Sequence, residues 1–248
     1  MKGRIHDLSL AAIRLAARAP FEDTATIAHW LYRFGTFPRS ATLERDFGPG
    51  DDPMAVLGLT MGGGVRQCLE SAYEAGSWSG WYTFSQVSTQ PPLLATGCKL
   101  YVSPRIEALT EAFPRVAHVF AQGDVRSFKI GRGLEGLLRP DKIVAYFEER
   151  EHMTAVADAL AAALMECPVQ GVPFSAEIGG DGLLSWGIDP PAGNAATSWR
   201  AWVTKRLATS LARHRHTPGN HLVEVVFDDI RKFRVDPECW LPNADAFL

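Results

Sequence analysis

The sequence predicts an α+β fold, in which a small, mostly antiparallel sheet is flanked by helices and accompanied by a helical N-terminal lobe. Helical patterns come first along the chain, strand and helix patterns then mix, and no regular βαβ repeat appears. The 248 residues, of which 46% are apolar and 21% charged, suit a globular protein that buries a core. We therefore expect a helical lobe over residues 1–76 and an α+β core over residues 77–248.

The first quarter of the chain has mainly helical patterns. Apolar residues recur at helical spacing over Leu8–Ala19, and again over Glu22–Phe34. Thr36–Pro53 is rich in proline, glycine and charge, which is typical of a long surface loop. A short helix is predicted over Val65–Ala75.

The remainder of the chain mixes strands with helices. Alternating or β-branched and aromatic runs predict strands at Trp81–Val87, Lys99–Ser103, Phe128–Ile130 and Lys142–Phe147, and a hairpin formed by Phe174–Ile178 and Leu183–Trp186. Ser103-Pro104 has the residue types that begin a helix. Helical patterns follow at Thr154–Met165, Ser198–Arg213 and His221–Phe233.

Charge, hydropathy and cysteine usage exclude several classes of protein. A formal net charge of −3 gives no bulk attraction to nucleic acid or to an anionic membrane. No apolar run approaches the ~18 residues that a membrane helix needs. The four cysteines are scattered without a C-x-x-C pair, so we expect buried thiols in a reducing compartment, with neither a disulfide framework nor a metal site. These observations predict a cytoplasmic protein without a signal peptide.

Cationic and phenolic residues recur on three successive predicted strands. Residues two or four apart on a strand share a face, which places each strand's members together. The set consists of Lys99 and Tyr101, then Lys129, then Lys142 and Tyr146, with Arg132 and Arg139 between the last two strands. Composition alone favours a simpler interpretation, in which strand-end lysines reach solvent and the tyrosines are ordinary strand residues.

Three segments from this region resemble a known family. They are Lys99-Leu100-Tyr101-Val102-Ser103, Ser127-Phe128-Lys129-Ile130, and Arg139-Pro140-Asp141-Lys142-Ile143-Val144-Ala145-Tyr146-Phe147. In order and spacing they resemble the phosphothreonine-lyase fold of bacterial effector lyases, of the lyase domains of class III and IV lanthipeptide synthetases, and of the HopA effector family. Leu31-Tyr32-Arg33-Phe34 is similar to an early helix motif of the HopA family. The resemblance covers roughly residues 99–191.

The resemblance implies a β-elimination that needs no metal or organic cofactor. It implies that Lys129 takes the α-proton and that Lys99 binds phosphate. Tyr101 stands where the family has a histidine acid, which leaves the identity of the acid open. The further candidates for binding phosphate or substrate are Arg132, Arg139, Lys142, Tyr146 and Arg200.

These residue types suit the chemistry. Phosphate becomes a good leaving group once arginine and lysine neutralise its charge. Burial and nearby like charges lower the pKa of a lysine, so a cationic pocket also favours the neutral amine that a base requires. A tyrosine can donate a proton or a hydrogen bond to the leaving oxygen.

We therefore expect a phosphoserine and phosphothreonine lyase in the biosynthesis of a ribosomal peptide, such as a class V lanthipeptide or a thioamitide. Its partners would be a phosphorylated precursor peptide and a separate Ser/Thr kinase, because the chain has no kinase motif. Two alternatives stay open: a non-catalytic module that binds a phosphopeptide or leader beside a kinase, and a type III effector that acts on phosphoproteins.

Overall fold

The computed structural model describes residues 3–20, 23–47, 54–86, 97–190 and 197–242. In these ranges the helices are α1 (Arg4–Arg18), α2 (Thr24–Arg33), α3 (Ala41–Phe47), α4 (Gly64–Glu70), α5 (Leu109–Gln122), α6 (Gly133–Leu137), α7 (Arg150–Ala163), α8 (Trp199–Arg213) and α9 (Gly219–Lys232). The strands are β1 (Tyr73–Trp78), β2 (Trp81–Gln86), β3 (Cys98–Val102), β4 (Ser127–Gly131), β5 (Ile143–Phe147), β6 (Ala176–Ile178), β7 (Leu184–Ile188), β8 (Val235–Asp236) and β9 (Leu241–Pro242). The predicted α+β class is confirmed.

The chain divides into two compact units, and the division differs from the expected boundary at residue 76. The first unit combines Met1–Gly35 with Gly171–Leu248, and the second is Thr36–Gln170. The N-terminal helices belong with the C-terminal ones because their apolar faces share one buried cluster, in which Ile13 and Leu31 join Trp199. Such long-range burial is invisible in the local sequence pattern.

The first unit is mostly helical. Asp23 is the N-cap of α2, and its carboxylate accepts a hydrogen bond from the Thr26 backbone N–H at 2.8 Å. Strands β6 and β7 form the antiparallel hairpin that the glycine-rich turn predicts. Strands β8 and β9 also pair, and the sequence analysis missed them because each has only two residues.

The second unit is built on five antiparallel strands in the order β1-β2-β4-β5-β3. One face of this sheet is apolar: the Phe128 ring stacks on Phe84 at 4.6 Å and meets Phe120 of α5 at 4.9 Å. Side chains alternate along a strand, so the residues between these positions lie on the other face. That second face contains most of the predicted site.

Strand β1 was not predicted, and the helix predicted over Val65–Ala75 ends early as α4. Five of the six β1 residues are exposed or nearly so, which removes the alternation that would have indicated a strand. Ser79 and Gly80 join β1 to β2 with φ of 45° and 80°, the positive values of a tight hairpin turn. The predicted loop over Thr36–Pro53 contains α3, and residues 48–53 lie outside the described ranges.

Other local expectations also need correction. Ser103 does not cap a helix, because its hydroxyl donates to the Pro140 carbonyl at 2.7 Å and α5 starts only at Leu109. The cysteines are free but not buried: Cys68 and Cys239 are exposed, and the other two are half-buried. Across the described ranges, no helix combines the length and hydropathy that crossing a bilayer requires.

Candidate functional site

The polar face of the five-stranded sheet places Lys129 at its centre. Cross-strand register sets Thr83, Lys129, Val144 and Tyr101 in one row, and Ser127, Tyr146 and Lys99 in the next. Residues that pair across a sheet lie on the same face, and the two rows are two residues apart along each strand. All of these side chains therefore lie on one face. Lys99 and Lys129 therefore point to the same side.

Aromatic rings bring the two lysines together. The Lys129 Nζ lies 4.2 Å from the centre of the Trp81 ring and 5.6 Å from that of Tyr146. The Lys99 Nζ lies 5.9 Å from the same Tyr146 ring. Rings at these distances attract an ammonium group through their negative faces. Tyr146 thus contacts both lysines at once.

The surroundings of Lys129 favour its neutral form. Burial lowers its pKa to about 8, with smaller lowering effects from the charges of Lys99 and Arg139, while Asp141 opposes them. At pH 7 roughly a tenth of such a lysine is an uncharged amine, compared with less than a thousandth for an ordinary lysine. Lys129 therefore has the property that a general base at neutral pH requires.

Arg139 joins the lysines on this face, and we name Lys99, Lys129 and Arg139 the cationic cluster. Its guanidinium lies 4.9 Å from the Trp81 ring centre, and Asp141 accepts from its Nε at 2.8 Å and from its Nη2 at 2.9 Å. A carboxylate that accepts two parallel hydrogen bonds fixes the plane of a guanidinium. Asp141 thus orients Arg139 beside Lys129.

The close packing of α6 helps to place Arg139. Gly131, at the end of β4, touches the backbone of Gly136 so closely that a Cβ on Gly136 would lie 2.7 Å from the Gly131 carbonyl carbon. Only glycine at these positions lets the helix approach the strand. Because Arg139 follows α6 by two residues, this contact determines where its side chain starts.

Tyr101 shares the face but is buried, with 3% of its surface exposed. In its row, Val144 stands between Tyr101 and Lys129, so their Cα atoms are about 10 Å apart, two strand spacings. A substrate lying over Val144 is the arrangement that would let both side chains contact it.

Lys142 was expected to bind phosphate, and the structure places it elsewhere. Its side chain is fully buried, and its Nζ donates to the Pro104 carbonyl at 2.8 Å and to the Gln170 side-chain oxygen. Burial lowers its pKa to about 7. Both acceptors belong to the protein, so Lys142 ties three chain segments together and has no exposed surface for a ligand.

Arg132 and Arg200 have contacts with residues outside the cationic cluster. Arg132 is exposed and lies over the ring of Tyr82, which alternates to the opposite side of β2 from Trp81. Arg200 belongs to the first unit, where its buried guanidinium donates to the carbonyls of Pro173 and Tyr32 at 2.9 Å each. The buried hydrogen bonds of Arg200 support packing, whereas binding of substrate by the exposed Arg132 stays a prediction.

Trp81 and Asp141 are the site residues that the sequence analysis missed. Trp81 lies two positions before Thr83, the cross-strand neighbour of Lys129, so strand alternation contains a signal for it. Asp141 stands inside the segment that carries the family resemblance, between Pro140 and Lys142. An Arg-x-Asp spacing is too common to indicate an ion pair without the fold.

The arrangement can bind a dianion and accept a proton. Lys99 and Arg139 supply positive charge, and Lys129 supplies an amine that is partly neutral at pH 7. Among the residues that the structure describes, no group of three or more His, Cys, Asp or Glu could hold a metal ion.

Comparisons with known proteins identify the fold. No protein-family model and no curated protein matches the chain. An effector protein from Pseudomonas syringae pv. tomato strain DC3000 aligns over 95% of this chain and 97% of its own, with a TM-score of 0.53 and 10% identity. One from P. syringae pv. syringae strain 61 aligns over 95% and 98%, with a TM-score of 0.51 and 12% identity.

A weaker likeness extends to a type III effector and phosphothreonine lyase, OspF from Shigella flexneri. It aligns over 49% of this chain and 74% of its own, with a TM-score of 0.39 and 11% identity, which is too distant to support an argument. The two P. syringae proteins align over nearly their whole lengths. This chain therefore has the fold of the P. syringae effector proteins.

Proposed function

We propose that this protein is a lyase that eliminates phosphate from phosphoserine or phosphothreonine in a peptide, leaving dehydroalanine or dehydrobutyrine. The observation that carries the proposal is Lys129: its pKa is lowered to about 8, and it lies on one sheet face with Lys99 and Arg139. A base next to two cations matches the needs of a reaction that removes a proton and releases a dianion.

The reaction balances without an added reagent. The neutral Lys129 amine takes the α-proton, and the electron pair of the Cα–H bond forms the Cα=Cβ double bond. The Cβ–O bond then breaks, and its electrons leave with the phosphate. The products are a dehydrated residue, inorganic phosphate and a Lys129 ammonium that returns its proton to water.

Lys99 and Arg139 are our candidates for binding the phosphate. Charge-assisted hydrogen bonds from lysine and arginine to phosphate are among the strongest in proteins. The Tyr146 ring lies 5.9 Å from the Lys99 Nζ and 5.6 Å from the Lys129 Nζ, so it would hold the base close to this phosphate-binding lysine. Tyr101 is our candidate for protonating the leaving oxygen.

The chain carries no kinase motif, so its substrate would arrive already phosphorylated. We propose a separate Ser/Thr kinase in the cytoplasm as the source and a precursor peptide of a lanthipeptide or thioamitide as the substrate. The family resemblance of the strand segments, rather than any contact in the structure, supports this biosynthetic setting.

A second candidate function is binding without catalysis. The burial of Tyr101 favours it, because a phenol with 3% exposure is poorly placed to reach a leaving group. The cationic cluster would then recognise a phosphorylated residue without eliminating it. A role as an effector on phosphoproteins is a variant of either function, consistent with the shared fold of the P. syringae effectors.

Two substitutions of Lys129 test the proposal. Lys129→Ala removes the base, and Lys129→Arg retains the positive charge but cannot deprotonate near neutral pH. We expect mass spectrometry to show loss of phosphate from a phosphorylated precursor peptide with the wild type, and retained phosphate with both variants. The Arg variant should still bind the phosphopeptide, as measured by fluorescence anisotropy.

Lys205→Arg is the matched control, since Lys205 is an exposed lysine of α8 in the other unit. It should eliminate at the wild-type rate. Elimination at that rate by Lys129→Arg would remove Lys129 from the role of base. A wild type that binds the phosphopeptide and never releases phosphate would establish the binding function instead.

A further inference from the structure

Trp81 is the common contact of two members of the cationic cluster. Its ring lies 4.2 Å from the Lys129 Nζ and 4.9 Å from the Arg139 guanidinium carbon. The indole is itself held firmly, because only 8% of its surface is exposed and it pairs with Gly131 at the end of β4. Because the buried ring is held rigidly, it can fix the positions of the two cations that contact it.

We propose that Trp81 is a positioning residue of this site, which holds the base Lys129 and the anion-binding Arg139 on one indole and thereby sets the spacing between proton removal and phosphate binding. This inference rests on the proposed lyase function. In a phosphoserine residue only the β-carbon and the ester oxygen separate the α-carbon from phosphorus. The base and the phosphate-binding cation must therefore lie side by side, as they do on Trp81.

The indole has a physical reason to order these groups. Two cations repel each other, and each flexible side chain would otherwise move towards solvent. Tryptophan attracts cations more strongly than the other aromatic residues do, and the attraction grows when water is excluded. Asp141 holds Arg139 from one side through two hydrogen bonds, so Trp81 and Asp141 together restrict the guanidinium.

The charged groups that affect the Lys129 amine come from several elements. Lys99 on β3 and Arg139 after α6 disfavour its ammonium form, and Asp141 favours it. The Trp81 and Tyr146 rings also favour the ammonium form through their negative faces. Removing the indole while keeping the site dry would therefore lower the pKa of Lys129, whereas letting water in would raise it.

The variants Trp81→Leu and Trp81→Phe separate the effect of losing the indole from the effect of letting water into the site. We expect the pKa of Lys129 to fall by about 0.5–1.5 pH units in the Leu variant, and by less in the Phe variant, which keeps a weaker ring. In the pH profile of kcat/KM, the acid limb should shift to lower pH by the same amount as the pKa of Lys129. The maximum of kcat/KM should fall about 10- to 100-fold, because Lys129 and Arg139 are no longer held in position by the same ring.

The pKa is measured by the pH dependence of Lys129 acetylation with acetic anhydride, followed by peptide mass spectrometry. This readout needs no lyase activity. Trp78→Leu is the control: Trp78 pairs with Trp81 across the hairpin but is 70% exposed, so it should change neither value. Circular dichroism of each variant confirms that the sheet is intact.

The outcomes distinguish the inference from the function on which it rests. A Lys129 pKa that rises or stays constant in Trp81→Leu, while the wild type eliminates phosphate, would overturn the role of Trp81 and leave the lyase function standing. A pKa that falls in a protein without lyase activity would support the positioning role and contradict the proposed function. A fall in both the pKa and the kcat/KM maximum supports both.

Discussion

Lys129 and Lys142 show how the surroundings of a side chain determine its role. Burial lowers the pKa of both, to about 8 and about 7. Lys129 is half-buried on the polar face of the sheet, and its amine lies near the Trp81 and Tyr146 rings. Lys142 is fully buried and donates to two protein acceptors. A lowered pKa therefore indicates a catalytic amine only when the group can also meet a substrate.

Tyr101→Phe tests the proposed acid. The substitution removes only the hydroxyl, so the packing of the buried ring should be retained. If the phenol protonates the leaving oxygen, elimination of phosphate should slow by roughly 10²–10⁴-fold, the usual contribution of general acid catalysis. Phosphopeptide affinity should stay within about threefold of the wild type. Single-turnover mass spectrometry measures the rate, and a near-wild-type value would assign Tyr101 to packing alone.

Because the pKa of Lys142 is lowered in the folded protein, we expect the stability of the protein to depend on pH. Its pKa in the folded protein is about 7, below the ordinary value of 10.5, so between these pH values the unfolded chain binds more protons. The contribution of Lys142 to the free energy of unfolding therefore rises as pH increases from about 7 to about 10, by at most on the order of 1 kcal/mol per pH unit. Below about pH 7 this contribution is constant. Urea unfolding at a series of pH values measures it.

Lys142→Met is the matching variant, because methionine fills a similar volume without a charge. It leaves the Pro104 carbonyl and the Gln170 side chain without their donor, so it should be less stable at pH 9. At pH 6 the loss should be smaller, since the buried ammonium is also gone. Parallel stability curves for the two proteins would show that Lys142 does not change its protonation in this range.

At the scale of elements, the contact between β4 and α6 positions Arg139. Gly131→Ala would place a Cβ against the backbone of Gly136, which has no flexible end that could move aside. We expect α6 to shift, with a loss of about 1–3 kcal/mol in stability and weaker phosphopeptide binding. Thermal unfolding and fluorescence anisotropy measure the two effects.

Gly64→Ala provides the control, because an added Cβ there meets nothing within 4 Å. Gly64 opens helix α4, so alanine should be tolerated or slightly stabilising. Unchanged affinity in Gly131→Ala, together with lowered stability, would show that α6 supports the fold without placing Arg139.

Most elements were predictable from the sequence because their periodicity reflects a half-buried surface. Helices α8 and α9, strands β2 to β5 and the β6–β7 hairpin were predicted to within a few residues. Strand β1 and helix α3 were missed because most of their residues are exposed, so no apolar pattern indicates them. The association of the N-terminal helices with the C-terminal part of the chain could not be predicted, since it depends on distant contacts such as the hydrogen bond from the Phe174 N–H to the Ser9 hydroxyl, 165 residues apart.

The candidate site was predictable in part, and the limits have a physical cause. Strand alternation placed Lys99 and Tyr101 on one face, because alternation is a local property of a strand. Lys129 lies on another strand, and only the pairing of β4 and β3 with β5 shows that it shares this face. Lys142 directly precedes β5 and is two residues from Val144, but its amine is enclosed by Pro104 and Gln170, and no sequence pattern contains that enclosure.

At the scale of the whole molecule, an acidic protein carries a locally cationic face. The net charge of −3 gives no general attraction to phosphate, so affinity for a phosphorylated peptide would depend on the cationic cluster. Surface charges are screened by salt within about 10 Å at 0.1 M. Buried contacts are screened less. Substituting one of the three cluster residues should therefore lower the phosphopeptide affinity more than raising the ionic strength does.

In the proposed reaction the phosphate leaves by elimination, with Lys129 taking the α-proton. The most direct measurement uses a phosphopeptide that carries deuterium on the α-carbon of its phosphoserine, followed by mass spectrometry of the product. Elimination removes both the phosphate and the deuterium, and we expect the wild type to do so and Lys129→Arg to leave the peptide unchanged. A product that has lost phosphate but retained its deuterium and gained a hydroxyl hydrogen would reveal hydrolysis, and it would contradict the lyase function.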